Sequence, residues 1–397
     1  MGIYPALATV FIPLLLLIIP SGLPKVIFSR LRDFSSLVYK RRYLSILIPV
    51  LAAILFFAFR NEFLNYDGRT LASKFTRDIP SHGAHVTHDE MWELCIHSWF
   101  WYYTNLLFGW SVKLSYQVIS SLAGGVFVYL LARYTRILFR KDFLPVLLLV
   151  LCGGYAQLFF GDVENYTLTA VLIMGYMLSS LLYIKERTSI MLPSALFAIA
   201  VTFHLLSFFL LPSLIYLAFL SFRRGEKVAV LVSALASCAI MVLTLLFFDW
   251  YCLPLKQLWY QSHALGHGGH IRMMLTRPSW GYFLGLFNLS MLLAPAWLLL
   301  IPLLLKRRIQ LDGINMHLLL ASCSMAVFFL GWRATLGVYE DWNLYANAAI
   351  PLQLLIFRNL FQVAREGKAE YVVLMPAWLF FLNSYSWIIS NHFYQAG

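Results

Sequence analysis

Residues 228–248 read VAVLVSALASCAIMVLTLLFF, a run without a single charged side chain. A helix over these 21 residues would be about 32 Å long, enough to cross a hydrocarbon layer about 30 Å thick. Similar runs recur along the 397 residues, of which 61% are hydrophobic and only 12% are charged. A single water-soluble core cannot bury that much apolar surface, so we expect lipid to surround most of the chain.

The apolar runs predict an all-α fold, a polytopic bundle of about twelve transmembrane helices. The sixth and seventh runs are short, and Pro193 and Pro212 interrupt them. The twelve predicted spans are 3–19, 43–59, 112–133, 143–161, 164–184, 190–205, 206–222, 228–248, 281–305, 315–332, 343–362 and 371–390.

Positive charges alternate between the loops that join these spans. Of the 30 Lys and Arg residues, 21 fall on one face of the predicted topology and 9 fall on the other. An excess of Lys and Arg marks the cytoplasmic face, which would place both ends of the chain outside. The net charge of +12 therefore needs no nucleic acid as partner. The alternation of charge between the loops predicts a multi-pass protein of the plasma or inner membrane, in contact with membrane lipid. The alternative location is the endoplasmic reticulum.

Acidic side chains gather on the opposite, outer face, where 11 of the 18 Asp and Glu residues fall. The first long outer loop, 60–111, carries Asp67 and the pair Asp89-Glu90. Each of these precedes a stretch that we expect to form a helix along the membrane surface. The second long outer loop, 249–280, is rich in His and Arg. Any chemistry is therefore expected on the outer face.

A very short outer loop, GDVEN at 161–165, joins two predicted spans and contains Asp162 and Glu164. Ionisable side chains at the rim of two packed membrane helices are costly, and they are usually tied to function. The simpler alternative is that polar residues are common at the tip of a helical hairpin. His204, near the outer end of its span, is expected to be a hydrogen-bonded packing residue, with a role in proton transfer as the alternative.

This layout resembles the GT-C superfamily, the membrane glycosyltransferases that take sugars from polyprenyl-phosphate carriers. In that superfamily a long first outer loop carries acidic residues and two interfacial helices, a second acid lies in the next outer loop, and another long outer loop follows the seventh crossing. The resemblance implies a GT-C-like core at 43–280 and further transmembrane helices at 281–397, and this chain adds a predicted N-terminal anchor helix and basic cytoplasmic loop at 1–42 before the core. THDE at 87–90 is similar to the His-x-Asp-Glu motif of protein mannosyltransferases.

The resemblance implies a hexosyl- or pentosyltransferase that uses a polyprenyl-phosphate-linked sugar donor and a glycan, lipid or protein acceptor on the outer face. Asp67, Asp89 and Glu90 are its candidates for the base that accepts the proton of the attacking hydroxyl. Asp162 and Glu164 would supply the second acid. The alternatives are an Asp-Gly turn at 67–68 and, for Asp89-Glu90, carboxylates that stabilise a helix N-terminus.

Candidate ligands of the carrier phosphate or of the sugar are charged residues of the later outer loops, because Arg in particular presents donors that match phosphate oxygens. They are His267, His270, Arg272, Arg277, Arg333, Glu340 and Asp341. The basic loop 249–280 would equally suit anionic lipid headgroups. Some members of the superfamily use a divalent metal, and Mg²⁺ or Mn²⁺ would here take its ligands from an oxygen-rich set. That set is Asp67, His88, Asp162 and Glu164.

Two other functions fit an outer-face site. A transporter or flippase of lipid-linked sugars would share the donor but usually keeps its ionisable residues near the membrane midplane. The predicted spans here are nearly free of charge, which favours an enzyme. A polysaccharide polymerase or ligase would also act on lipid-linked sugars, with Arg-rich loops in place of several acids.

Overall fold

The computed structural model describes residues 22–41, 44–62, 64, 68–73, 75, 87, 89–251, 280–305, 309–332, 338, 341–367 and 383–392. These residues form helices joined by turns and short 3-10 segments, and no β-strand occurs among them. A short helical stretch covers 68–73. The longer elements are α1 (Gly22–Lys40), α2 (Leu44–Ala58), α3 (Met91–Phe108), α4 (Val112–Phe139), α5 (Phe143–Val150), α6 (Thr167–Ile184), α7 (Met191–Phe203), α8 (Leu211–Arg223), α9 (Lys227–Tyr251), α10 (Trp280–Leu293), α11 (Leu300–Leu305), α12 (Gly313–Gly331), α13 (Trp342–Ala346), α14 (Ala349–Gly367) and α15 (383–392).

Five helical spans in the described part of the chain are long and apolar enough to cross a membrane. They are α4, α6, Leu205–Arg223, α9 and α12. A sixth arises if Trp280–Leu293 and Pro295–Leu305, bent by 95°, count as one broken span. The all-helical fold is therefore confirmed for these residues, and the length and apolar composition of these helices suit a membrane protein, while the number of twelve crossings stays a prediction. The predicted span 3–19 and most of 371–390 lie outside the described residues.

Helix α2 packs closely along α4 because α4 carries glycine at the contact. A Cβ atom on Gly125 would lie 2.9 Å from the Pro49 carbonyl oxygen and 3.0 Å from the Ala53 Cβ. Small residues permit this approach of two backbones, which is a common way to pack helices in lipid. The contact holds the middle of α2 against the middle of α4.

Several predicted spans are not continuous helices, and two of them show the cause of the break. The span 143–161 ends as α-helix at Val150, and a 3-10 helix, Gly154–Phe159, follows. Any Cβ on Gly153 or Gly154 would collide with the backbone of 292–293, so this break accommodates a neighbouring segment. The span 281–305 bends at Pro295, which has no N–H for the helical hydrogen bond and clashes with the preceding turn.

Residues 22–40, part of the predicted basic loop, form the helix α1. Its Ser35 and Val38 are buried against the start of α5, and the Ser35 hydroxyl oxygen accepts a hydrogen bond from the Leu144 N–H at 3.3 Å. The Arg32 Nε lies 2.9 Å from the Asp142 Oδ1. The segment is basic, as the sequence indicates, but one of its faces is docked on the bundle.

Candidate functional site

Helix α3 is joined to α6 by a carboxylate. The Glu93 Oε1 accepts the Leu168 N–H, and the Glu93 Oε2 accepts both the N–H and the hydroxyl of Thr169, all at 2.8 Å. These N–H groups belong to the first turn of α6 and have no partner within their own helix. Glu93 is thus an N-terminal cap supplied by another helix. Burial raises its pKa to about 7, against the opposing effect of these hydrogen bonds.

Loop 161–165 is placed directly before that capped helix end, and its two acids are buried rather than exposed at a hairpin tip. Only 4% of the surface of Asp162 and 3% of that of Glu164 is exposed, which is too little for ordinary solvated turn residues. The Asp162 carbonyl oxygen accepts the Ser120 hydroxyl at 2.8 Å. Burial raises the pKa of Asp162 to about 7, while the neighbouring Asn343 and Asn61 amides oppose that rise.

Glu90 turns toward the same loop. It is the N-cap residue of α3, but its side chain makes no capping hydrogen bond to the helix. Instead its Oε2 accepts the Asn165 side-chain amide at 3.0 Å, and its Oε1 lies 3.5 Å from the His204 Nε2. Burial raises the pKa of Glu90, and the contact with His204 opposes that rise. The neighbouring Asp89 side chain is exposed.

The backbone fixes the tautomer of His204. The Leu206 N–H donates to the His204 Nδ1 at 3.1 Å, so in the neutral ring the proton is on Nε2, the atom that faces Glu90. A second backbone contact, from the Leu205 N–H to the Asp89 carbonyl oxygen at 3.0 Å, holds the two segments together. His204 is therefore a partner of the first-loop acids, and the sequence interpretation as a packing residue missed this contact.

Acids from separate segments of the chain lie near Tyr166. Burial raises the pKa of the Tyr166 hydroxyl, and nearby negative charges raise it further. Those charges belong to Glu90, Glu164, Asp89 and Asp341. The Tyr166 ring also packs on the His204 ring, with 5.1 Å between the centroids. Three segments that are far apart in sequence thus contribute to one acidic site at one end of α3 and α6.

The third segment, 341–347, adds amide groups. The Asn347 Nδ2 donates to the Tyr166 carbonyl oxygen at 3.3 Å, and Asn343 is 1% exposed beside Asp162. Within the described residues, the Asn347 Oδ1 is buried without a hydrogen-bond partner, and the Asp162 Oδ2 and the Asn343 Nδ2 make no hydrogen bond of ordinary length. Buried polar atoms of this kind carry a cost, and hydroxyl groups of a ligand would remove it.

Of the sequence-predicted site residues, the structure brings five together: Asp89, Glu90, Asp162, Glu164 and Asp341. The other candidates lie outside the described residues, and they are Asp67, His88, His267, His270, Arg272, Arg277, Arg333 and Glu340. In the part of the chain that the structure describes, no group of three or more His, Cys, Asp or Glu could hold a metal ion. The proposed metal set includes Asp67 and His88 and is not tested.

Sequence reasoning missed Glu93, Asn165 and the amides of 341–347. The sequence did hold a signal for Glu93: Glu93 and His97 are four residues apart, so a helix places two ionisable side chains on one face. The His97 ring stacks on Tyr116 with 4.1 Å between centroids, and the Tyr116 hydroxyl donates to the Asn165 Oδ1 at 2.9 Å. No sequence signal linked Asn343 to Asp162, because that pairing exists only through the fold.

Comparison with known proteins gives one structural likeness to report. No family model matches the sequence, and no curated protein matches it significantly. Among solved structures, the chain is similar to the apo crystal structure of the Archaeoglobus fulgidus oligosaccharyltransferase, with 13% sequence identity and a TM-score of 0.49. The match covers 91% of this chain and 57% of that protein, so the chain spans little more than half of its length.

Proposed function

We propose that this protein is a membrane glycosyltransferase that transfers a sugar from a polyprenyl-phosphate carrier to an acceptor on the outer face. The observation that supports the proposal is the meeting of acids from three separate segments around Tyr166. They stand beside buried amide groups with unused hydrogen-bonding atoms. Glycosyl transfer needs both kinds of group: a carboxylate to accept a proton, and polar groups to bind sugar hydroxyls.

In the proposed reaction the acceptor oxygen attacks the anomeric carbon of the carrier-linked sugar. The new C–O bond forms as the bond from carbon to the phosphate oxygen breaks, and the electron pair of that bond leaves with the carrier phosphate. The proton of the acceptor hydroxyl passes to a carboxylate, for which we propose Asp67 or Asp89. Direct displacement of the carrier inverts the configuration at the sugar. Cations beside the phosphate would stabilise its growing negative charge.

Glu90 is better suited to positioning than to proton acceptance. Its two carboxylate oxygens already contact His204 and Asn165, whereas Asp89 is exposed next to it. Asp162 is buried, and its Oδ2 makes no hydrogen bond of ordinary length among the described residues, which suits a hydrogen bond to a sugar hydroxyl. Glu164 and Asp341 add negative charge that favours the positive character of the sugar ring in the transition state.

The test is a transfer assay with a radiolabelled polyprenyl-phosphate sugar and the purified full-length protein. We expect carrier-dependent transfer by the wild type and a loss of at least about 100-fold in Asp67→Asn or Asp89→Asn, the range typical of a lost general base. Asp162→Asn is expected to raise KM more than it lowers kcat. The exposed Asp33 on α1 supplies a matched control, Asp33→Asn, which should keep full activity.

Movement of the sugar lipid across reconstituted vesicles without transfer would contradict the proposal and support a flippase. Full activity in both Asp67→Asn and Asp89→Asn would contradict the assignment of the base.

A further inference from the structure

Two cations flank one carboxylate where α2 ends and α4 begins. The Arg60 Nε lies 3.3 Å from the Glu62 Oε1, and the Lys113 Nζ lies 2.7 Å from the Glu62 Oε2. The Lys113 Nζ also donates to the Glu62 carbonyl oxygen at 2.9 Å. Neither cation was among the candidate ligands in the sequence. The cluster carries two positive charges and one negative charge, so it keeps a net positive charge.

Both cations have donors to spare. The Arg60 Nη1 donates to the Phe57 carbonyl oxygen at 3.2 Å, but among the described residues nothing accepts from its Nη2. Lys113 likewise uses two acceptors, both on Glu62, for its three N–H groups. The side chains of Arg60 and Lys113 remain 31% and 30% exposed. An anion can therefore approach both groups at once.

The cation pair adjoins the acidic site. Gly161 has φ +67°, and a Cβ there would lie 2.7 Å from the Arg60 Cβ, so the two backbones are in direct contact. The Asn61 N–H donates to the Phe160 carbonyl oxygen at 2.6 Å, and the Asn61 side chain faces Asp162. A phosphate at Arg60 and Lys113 would therefore be next to the loop that holds Asp162.

An apolar stripe on α2 leads to the same place. Ile46, Val50 and Ile54 recur every fourth residue and are 62%, 49% and 58% exposed. Leu47, Leu51 and Leu55 form a parallel row and are 48%, 48% and 54% exposed. Residues four apart lie on one helix face, so the two rows make a continuous strip that ends at Phe59 and Arg60. The strip runs the length of the helix and ends in positive charge. Such a surface is complementary to a lipid with a long apolar tail and a phosphate head.

We propose that Arg60 and Lys113 bind the phosphate of the isoprenoid carrier, with its chain lying along the exposed strip of α2. The inference rests on the proposed function for the identity of the lipid. It adds a phosphate site on the α2 side of the acidic cluster, distinct from the basic loop 249–280. Without lipid, Glu62 pairs with both cations. When the lipid binds, its phosphate oxygens share or replace the contacts of Glu62.

The experiment measures binding of undecaprenyl phosphate to the purified full-length protein in detergent, by native mass spectrometry. We expect the double variant Arg60→Gln/Lys113→Gln to bind about tenfold more weakly, because it loses two charge-assisted contacts. Glu62→Gln should bind about twofold more tightly or better, since it removes the competing anion. A merely structural ion pair would give no gain in affinity in that variant.

The matched control is Arg133→Gln/Arg140→Gln, which removes two exposed arginines at the other end of α4. It should bind like the wild type, and melting temperatures should show that all variants are folded. Wild-type affinity in Arg60→Gln/Lys113→Gln would overturn the proposal, and so would equal affinity for phosphatidylglycerol or for inorganic phosphate. Binding needs no turnover, so a failed transfer assay with intact, Arg60-dependent binding would overturn the proposed function alone.

Discussion

The Asn165 side-chain amide donates a 3.0 Å hydrogen bond to the Glu90 carboxylate and so ties the short loop 161–165 to the start of α3. The two residues are 75 positions apart in the chain. The Asn165 Oδ1 in turn accepts the Tyr116 hydroxyl, which orients the amide so that its NH₂ group faces Glu90. A short polar chain thus connects α4, the loop and the first-loop acids, and it sets the position of each.

We predict that His204→Phe impairs the protein although it preserves a ring beside Tyr166. The change removes the acceptor of the Leu206 N–H and the partner of Glu90, and we expect it to lower the free energy of unfolding by about 1–3 kcal/mol. Transfer should slow by about tenfold or more, because Glu90 loses one of its two fixed contacts. Thermal unfolding in detergent and the radiolabel assay check both effects.

Ser207→Ala is the control for His204→Phe. Ser207 is in the same 3-10 segment, and its buried hydroxyl has no partner among the described residues, so its removal should be neutral or slightly stabilising. A His204→Phe variant that is as stable and as active as Ser207→Ala would contradict the role given to the imidazole.

We predict that the stability of the protein depends on the protonation of Glu93. Burial raises the pKa of Glu93 from 4.5 to about 7, so the folded protein retains a proton that the unfolded chain releases between these values. The stabilisation from this proton is complete below pH 4.5 and is lost as the pH rises through about 7. Glu93→Gln cannot ionise, so it does not lose this stabilisation as the pH rises. The melting temperature of Glu93→Gln minus that of the wild type should therefore increase from pH 5 to pH 8.

Melting temperatures across this pH range test the Glu93 prediction. Glu186→Gln removes a carboxyl group that solvent reaches and measures the effect of such a change in general. A difference between Glu93→Gln and wild type that stays constant with pH would show that Glu93 does not ionise in this range.

We predict opposite effects of alanine at two glycines of neighbouring segments. Gly161 has φ +67°, and a Cβ there would be 2.7 Å from the Arg60 Cβ, so Gly161→Ala should destabilise the protein by about 1–2 kcal/mol or more. Gly175 is inside α6, and a Cβ there would have its nearest neighbour at 3.8 Å. Gly175→Ala should stabilise by up to about 1 kcal/mol, through helix propensity. Equal effects in a thermal unfolding series would contradict the close approach at Gly161.

We predict that Glu62 and Arg187 face opposite sides of the membrane. Helix α4 has 28 residues and is therefore about 42 Å long, so its two ends reach beyond the hydrocarbon layer on either side. In a cysteine-free background, Glu62→Cys should react with a membrane-impermeant maleimide in intact cells, and Arg187→Cys should react only after permeabilisation. Labelling of both from the same side would overturn the predicted topology.

The sequence predicted the uninterrupted helices well because their information is local. Helix α9 covers Lys227–Tyr251, against a predicted 228–248, and its run of apolar residues alone predicts it. The break after Val150 could not be predicted, since it depends on the backbone of 292–293 approaching Gly153 and Gly154. A run of apolar residues reads the same whether a neighbour interrupts it or not.

The candidate site was predicted in part for a similar reason. Acids are rare in an apolar chain, so Asp89, Glu90, Asp162, Glu164 and Asp341 could be found by their presence at the ends of spans. Which of them meet, and through which partners, depends on the packing of α3 against α6 and on the backbone at His204. Asn residues such as Asn343 are common, so the sequence alone does not indicate that they belong to the site.

The Glu93 cap fastens α3 to the N-terminal end of α6 through three hydrogen bonds. Separating them would leave a buried carboxylate and three hydrogen-bond donors without partners, a penalty that ordinary breathing motions do not overcome. Under the proposed function, a substrate would therefore have to reach Tyr166 without parting α3 from α6.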